Sequence, residues 1–165
     1  MEEAAAGAPA AAAEAAGDGP GGRGLMPPPW GKFSLPASET AYANGHSPGY
    51  RQAVREVFGP LVEWVGAWPP GRLAWMMAEV PGRGSLTAFF RDAEERLAPA
   101  GSLWVVFPKK PFAEELSFPY SWAEVQRSGL SSGLVDNKIA AFTSRLTSIR
   151  FVVPVARRRA RASAR

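Results

Sequence analysis

The sequence predicts an α/β fold whose sheet is mostly parallel and ends in an antiparallel hairpin. Two unbroken apolar runs, Leu73–Val80 and Ser102–Phe107, are typical of strands that are buried on both faces. A helical pattern lies between them, and strand, helix and strand in about 35 residues is the size of a right-handed βαβ unit. Leu134–Phe142 and Ser148–Val155 are joined by a short segment, which favours a hairpin.

Helix boundaries are marked by capping residues. Ser47-Pro48 suits an N-cap and a first helical position, and a helical pattern follows it. Gly59-Pro60 interrupts that pattern, so we expect a kink or two short helices there. Ser85 can cap the helix between the first two strands, and Ser121 with Glu124 forms a capping box for a third helix.

The composition divides the 165 residues into three parts. Residues 1–46 are rich in Ala, Gly and Pro, so we expect a disordered leader, within which Met1 or Met26 is the start. Residues 47–155 form the single predicted α/β domain. Residues 156–165 are expected to be a basic, disordered tail.

The net charge of +4 comes from the end of the chain. Five arginines lie in the last nine residues, and the rest of the chain sums to −1. A nucleic-acid-binding domain is expected to carry basic surface on its fold as well. We therefore interpret the tail as a solvated extension rather than a nucleic-acid anchor.

Several chemistries are excluded by composition. There is no cysteine, so disulfides, thiolate metal sites and cysteine nucleophiles cannot form. His46 is the only histidine, which leaves no histidine-rich metal site and no convincing catalytic triad. No apolar run is long enough to span a membrane and no signal peptide is recognisable, so the predicted location is the cytoplasm. We predict no catalytic residues, no metal and no membrane partner.

Two sequence blocks resemble a known family. SLWVVFPKK (102–110) and GLVDNKIAAFTSRLTSIRFVVP (133–154) are similar to an uncharacterised bacterial family classed as a domain of unknown function. The resemblance covers about residues 72–154. It implies a truncated Rossmann-like fold, the carboxyl-terminal half of a methyltransferase-like sheet, in which Ser148–Val155 inserts antiparallel between the two strands before it.

The chain departs from that family in two places. A complete methyltransferase-like sheet begins with a strand, a glycine-rich turn for the cofactor's amino-acid end and an acidic residue for the ribose. No such block is recognisable before Leu73, which argues against S-adenosylmethionine and against any cofactor. The family's Trp-Ser-Gly in the last hairpin is replaced by Leu146-Thr147-Ser148, which leaves any role of that hairpin in doubt.

One candidate ligand site follows from the predicted strand order. Ligands of open α/β sheets bind beyond the carboxyl ends of the strands, where two loops emerge here. A helix amino terminus and nearby cations favour anions such as phosphate or carboxylate. The candidate residues are Gly82, Arg83, Gly84, Ser85, Lys109 and Lys110. The alternative is an ordinary glycine turn with solvated lysines.

Two functions remain open from the sequence. The first is a non-catalytic protein-interaction module that self-associates, because Trp64, Trp68 and Trp122 would cover a sheet edge left open by the missing half or meet a partner. The second is a domain that binds a small molecule, nucleotide or phosphate at the candidate site. The sequence favours the first, and it names no substrate, partner or pathway.

Overall fold

A computed structural model describes the backbone of residues 30–163 and the side chains of residues 31–162. Within this part of the chain there are four α-helices and six β-strands, with short 3₁₀ turns at Trp30–Phe33, Gly59–Leu61 and Lys110–Phe112. The strands are β1 (Ala41–Asn44), β2 (Val62–Trp64), β3 (Leu73–Glu79), β4 (Leu97–Pro108), β5 (Val135–Ala141) and β6 (Leu146–Val152). The helices are α1 (Pro48–Phe58), α2 (Leu86–Arg96), α3 (Trp122–Ser131) and α4 (Val155–Ser163).

All six strands form one sheet in the order β2-β1-β3-β4-β6-β5. β1, β2, β3 and β4 are parallel, and β6 pairs antiparallel with both β4 and β5. This arrangement confirms the mostly parallel sheet, the βαβ unit of β3, α2 and β4, and the insertion of the last strand between its two predecessors. The capping box of α3 is also present, since Ser121 and Glu124 bond each other's backbone N–H groups.

The sheet has two strands that the sequence did not predict. β1 lies within the expected leader and pairs with both β2 and β3. α1 ends at Phe58 and Gly59 has a φ of 57°, so the helical pattern is interrupted where Gly59-Pro60 predicts it, and the short 3₁₀ turn Gly59–Leu61 then leads into β2. The expectation that no strand precedes Leu73 was therefore wrong, although residues 1–29 of the leader lie outside the described part of the chain.

The two faces of the sheet carry separate cores. α2 and α3 cover one face, and their apolar side chains pack on β3, β4 and β6. α1 and the Trp30–Phe33 turn cover the other face. β4 is buried from Gly101 to Phe107, which agrees with the unbroken apolar run in its sequence.

Phe33 anchors the segment that precedes β1. Its side chain is fully buried, and its ring packs edge-on against Phe58, Trp104 and Phe142. Its carbonyl oxygen accepts hydrogen bonds from the indole nitrogens of Trp75 (2.8 Å) and Trp104 (3.0 Å). Both buried indole N–H groups are satisfied in this way, so the turn is part of the core rather than of a disordered leader.

The arginine-rich segment after Pro154 is a helix, which corrects the expected disorder over its described residues. Arg161 of α4 is almost buried and forms an ion pair with Glu94. It also donates to the carbonyl oxygens of Glu94 (2.9 Å) and Leu97 (3.2 Å) at the end of α2. A cation suits a helix carboxyl terminus, and these bonds hold α4 against the domain.

Candidate functional site

A cavity lies at the edge of the sheet where β1, β3 and β4 end and the antiparallel β6 begins. Its volume is about 1100 Å³. The walls come from the turn after β1, the first turns of α1, the loops after β3 and β4, and the β5–β6 turn. Open α/β sheets bind ligands at this edge, and small-molecule sites have volumes of roughly 300–1,000 Å³.

Most of the cavity wall is apolar. The apolar and aromatic side chains that line it are Tyr50, Ala53, Val80, Val106, Phe107, Phe112, Leu116, Phe118 and Leu146. The charged residues on the wall are Glu56, Glu79 and Arg145. The Arg145 guanidinium is 2.5 Å from the Glu115 carboxylate and 4.9 Å from the centre of the Phe112 ring, so its charge is already compensated.

Glu79 is the acidic residue at the inner end of the cavity. It ends β3, and its side chain is only 15% exposed. One carboxylate oxygen accepts hydrogen bonds from the backbone N–H groups of His46 (2.8 Å) and Ser47 (2.9 Å), and the other accepts from the Ser47 hydroxyl. The carboxylate therefore lies at the amino terminus of α1, where the helix dipole favours a negative charge.

Tyr50 of α1 lies beside this carboxylate and lines the cavity. Its hydroxyl is buried and has no hydrogen-bond partner within the described residues. Burial raises the pKa of this hydroxyl well above its ordinary value of 10.0, and the negative charge of Glu79 raises it further. Tyr50 is therefore neutral at physiological pH.

The structure brings only one of the predicted anion-site residues into the cavity wall, Gly82. Arg83 is exposed, and Gly84 has a φ of 92° and a carbonyl oxygen that accepts from the Tyr120 hydroxyl at 2.8 Å. The Ser85 hydroxyl caps α2 by accepting from the Ala88 N–H at 3.1 Å. One amino-terminal N–H of α2 is thus already satisfied by the chain itself.

The predicted lysines do not line the cavity either. The Lys109 N–H donates to the Arg145 carbonyl at 2.8 Å, and the Lys110 side chain is exposed. Lys109 lies near Lys32, whose pKa is lowered by burial and further by the charges of Lys138 and Lys109. The loops after β3 and β4 do approach each other, but at Gly82 and Ser117 rather than at the lysines.

Sequence reasoning missed Glu79 and Tyr50. A signal was present for Glu79, because it is the one charged residue in the apolar run Leu73–Val80. Tyr50 lies in the helical pattern that follows Ser47-Pro48, and nothing in the sequence placed it beside the end of β3. His46, expected in a linker, lies in the turn after β1, with its Nδ1 3.2 Å from a Glu79 oxygen.

The predicted open edge beside β3 is filled by β1 and β2. Trp64 belongs to β2 and is half-buried, with its ring 5.6 Å from that of Tyr50. Trp68 is half-buried against the core, and Trp122 on α3 is 39% exposed. Of the three tryptophans expected to meet a partner, only Trp122 is therefore classed as exposed.

Comparison with solved structures identifies the fold. The chain is similar to the CcbJ methyltransferase from Streptomyces caelestis, with 12% identity and a TM-score of 0.50 over 73% of this chain and 91% of that one. It is also similar to a chain of the complex between the Haloferax volcanii Trm112 methyltransferase activator and a proposed methyltransferase. That similarity has 11% identity and a TM-score of 0.51, over 74% of this chain and 86% of that one. The protein thus has a Rossmann-like, methyltransferase-like fold, and at these identities the likeness concerns the fold alone.

No family model and no curated protein matches the sequence. Among the helices of the described residues, none has the length and apolar character needed to cross a membrane.

Proposed function

We propose that this domain binds a small organic molecule in the cavity at the carboxyl edge of its sheet. The observation that carries the proposal is the cavity itself, about 1100 Å³ in volume and lined mainly by apolar side chains. Such a wall binds the apolar body of a ligand, and a few polar groups orient it. Membership of the uncharacterised bacterial family and a cytoplasmic location remain predictions.

The charges on the wall favour a neutral or cationic ligand. Glu56 and Glu79 contribute two carboxylates, whereas the cation on the wall, Arg145, is paired with Glu115. The aromatic rings of Phe107, Phe112 and Phe118 can stack on a ring or contact a cation. A phosphate or nucleotide bound through Gly82–Ser85 and the two lysines is the alternative, which has weaker support because the lysines lie elsewhere.

A glycine substitution that fills the cavity tests the proposal. A Cβ at Gly82 would lie 3.8 Å from the Ser117 carbonyl oxygen, which is an ordinary contact distance. Gly82→Phe therefore has room for its Cβ and adds an aromatic ring at the cavity wall. We expect the neutral fluorescent amine N-phenyl-1-naphthylamine to bind the native protein saturably. Its affinity should fall at least about tenfold, or 1.4 kcal/mol, in Gly82→Phe.

Gly66→Phe is the matched control. Gly66 is exposed, does not line the cavity and has open space for a Cβ. Gly66→Phe should bind N-phenyl-1-naphthylamine with the same dissociation constant as the native protein. Equal losses in the two variants, or no saturable binding to the native protein, would contradict a ligand site in this cavity.

Self-association is a second candidate function, favoured by the distribution of exposed apolar residues. Five of the seven large apolar side chains that are exposed within the described chain lie between residues 116 and 139: Leu116, Trp122, Leu130, Val135 and Ile139. Ile139 is 56% exposed and belongs to β5, the strand at one edge of the sheet. A second copy of the chain that paired with β5 would cover Ile139 and the strand edge.

Light scattering tests self-association. We expect the native protein to have the mass of a dimer at micromolar concentration and Ile139→Lys to be a monomer, because a lysine on the edge strand opposes pairing. Leu61→Lys, at a position that is also exposed but lies before β2, should remain dimeric. A monomeric native protein would exclude this candidate and leave the ligand-binding proposal untouched.

A further inference from the structure

The methyltransferase-like fold implies S-adenosylmethionine, and the first turn of the sheet shows whether the residues fit it. In this fold the turn after β1 receives the amino-acid end of the cofactor, and the end of β2 supplies an acidic residue for the ribose. Three features of the described chain bear on that fit: the space at Gly45, the N–H groups at the start of α1, and the residues after β2.

The space beside Gly45 is filled by the protein's own side chains. A Cβ on Gly45 would lie 2.6 Å from two carbons of the Tyr50 ring and 2.9 Å from the Glu79 Cβ. Only glycine fits at such distances, but the group that approaches it closely is a ring of the same chain. In cofactor-binding turns a glycine at this place admits the ligand.

The hydrogen-bond donors of the same turn are also occupied. The N–H groups of His46 and Ser47 both donate to Glu79. Ser47 is the N-cap of α1, yet its hydroxyl donates to Glu79 and makes no capping bond to the helix. A buried carboxylate thus receives three donors at a helix amino terminus, which is the arrangement that an anionic ligand would require.

The end of β2 has no carboxylate at its last residue or directly after it, and the acidic residue of the strand, Glu63, lies one position earlier and is exposed. The residues that follow Trp64 are Val65, Gly66 and Ala67, none of which is acidic. The Asn44 side-chain amide donates to the carbonyl oxygens of Val65 (2.7 Å) and Gly66 (3.2 Å). The ends of β1 and β2 are therefore joined by a side chain across the crevice between them.

We infer that the Glu79 carboxylate replaces the carboxylate of an amino-acid ligand at this turn, so that the turn is closed to S-adenosylmethionine. A second negative charge in this place would meet the Glu79 carboxylate, to which the N–H groups of His46 and Ser47 already donate. The cofactor implied by the fold does not fit the residues present. The turn forms part of the cavity wall, and this inference does not depend on which ligand occupies the rest of the cavity.

Chemical rescue by a small carboxylate tests the inference. Glu79→Ala removes the resident anion and leaves three donors unpaired, so its melting temperature should fall by roughly 10 °C. Formate should recover about half of that loss, whereas sodium chloride at the same ionic strength should recover none. Glu79→Gln fills the same space without the charge, and we expect it to melt below the native protein and to show no response to formate.

The control is Glu56→Ala, a second carboxylate of the cavity wall. Glu56 is exposed and accepts one hydrogen bond, from Gln52 at 2.9 Å. Its removal should change the melting temperature by less than about 2 °C and create no response to formate. An equal response to formate in both variants would overturn the inference.

The native protein provides a test that does not depend on any variant folding. In equilibrium dialysis with millimolar S-adenosylmethionine, we expect no binding and no shift in melting temperature. Binding of the cofactor by the native protein would overturn the inference. A Glu79→Ala variant that folds but is not rescued by formate would overturn it too, because Glu79 would then not stand in for a ligand.

Discussion

Phe33→Ala should lower the free energy of unfolding by about 4 kcal/mol, although Phe33 lies in a segment whose composition predicts disorder. The substitution removes a fully buried ring that contacts three aromatic side chains. It also loosens the carbonyl that satisfies the indoles of Trp75 and Trp104. Urea denaturation followed by tryptophan fluorescence would measure the loss, since both indoles report on this site.

Leu61→Ala is the control for this prediction. Leu61 is also a large apolar residue, but it is 46% exposed, so its truncation should cost less than about 1 kcal/mol. A loss of less than about 1 kcal/mol for Phe33→Ala would mean that the segment before β1 is not docked on the sheet.

Arg161→Ala should cost about 3 kcal/mol, an effect not expected of a disordered tail. The Arg161 side chain is 9% exposed and its partner Glu94 is 14% exposed, so the substitution leaves a poorly solvated carboxylate. It also removes one hydrogen-bond donor from each of two carbonyls at the end of α2, those of Glu94 and Leu97. Arg157, 3.6 Å from Glu94, compensates only part of the loss. Thermal or urea unfolding would measure it.

Arg127→Ala is the matched control, because Arg127 is exposed on α3 and its side chain makes no ion pair or hydrogen bond among the described residues. Arg127→Ala should change the free energy of unfolding by no more than about 0.5 kcal/mol. Arg161→Lys should recover only part of the stability, since one ammonium cannot reach the same three acceptors in the planar geometry of a guanidinium. Equal stability of Arg161→Ala and the native protein would show that α4 does not dock.

The central elements could be predicted because their signals are local. β3 and β4 are unbroken apolar runs, and α1, α2 and α3 start at serine caps. β1 and β2 carry no such signal, because they have four and three residues and β1 buries only two alanines. Their conformation depends on parallel pairing with strands distant in sequence, and tertiary pairing of this kind overrides composition.

α4 was missed for a different reason. A run of arginines is typical of a solvated segment. The alkyl part of an arginine side chain can nevertheless be buried while its guanidinium donates to hydrogen-bond acceptors. The acceptors of Arg157, Arg158 and Arg161 are the carbonyl groups of Gly133, Val153, Glu94 and Leu97. No local pattern identifies those partners, which are up to 67 residues away in the chain.

The sheet edge that carries the cavity could be predicted from the sequence, whereas most residues of the cavity wall could not. The edge of the sheet and Gly82 follow from strand order, which the sequence supplies. Glu79 contacts His46 and Ser47, which are 33 and 32 residues away in the chain. These contacts depend on β1, a strand that the sequence did not predict. Because β1 was not predicted, the turn after it and its contact with Glu79 were not predicted either. The predicted site was an anion site, and the cavity wall contains the Glu79 carboxylate.

The position of β6 has a consequence for the synthesis of the protein. Among the strands of the described residues, β6 comes last in chain order but lies between β4 and β5. When β5 of a nascent chain has just been synthesised, its partner β6 is still missing. The edge of the apolar strand β4 also stays unpaired until Leu146–Val152 leaves the ribosome. Exposed edges of this kind template pairing with other chains. Chaperone binding during translation should therefore matter most between the synthesis of β5 and that of β6. A chain released at that stage would be the form of the protein most prone to aggregate.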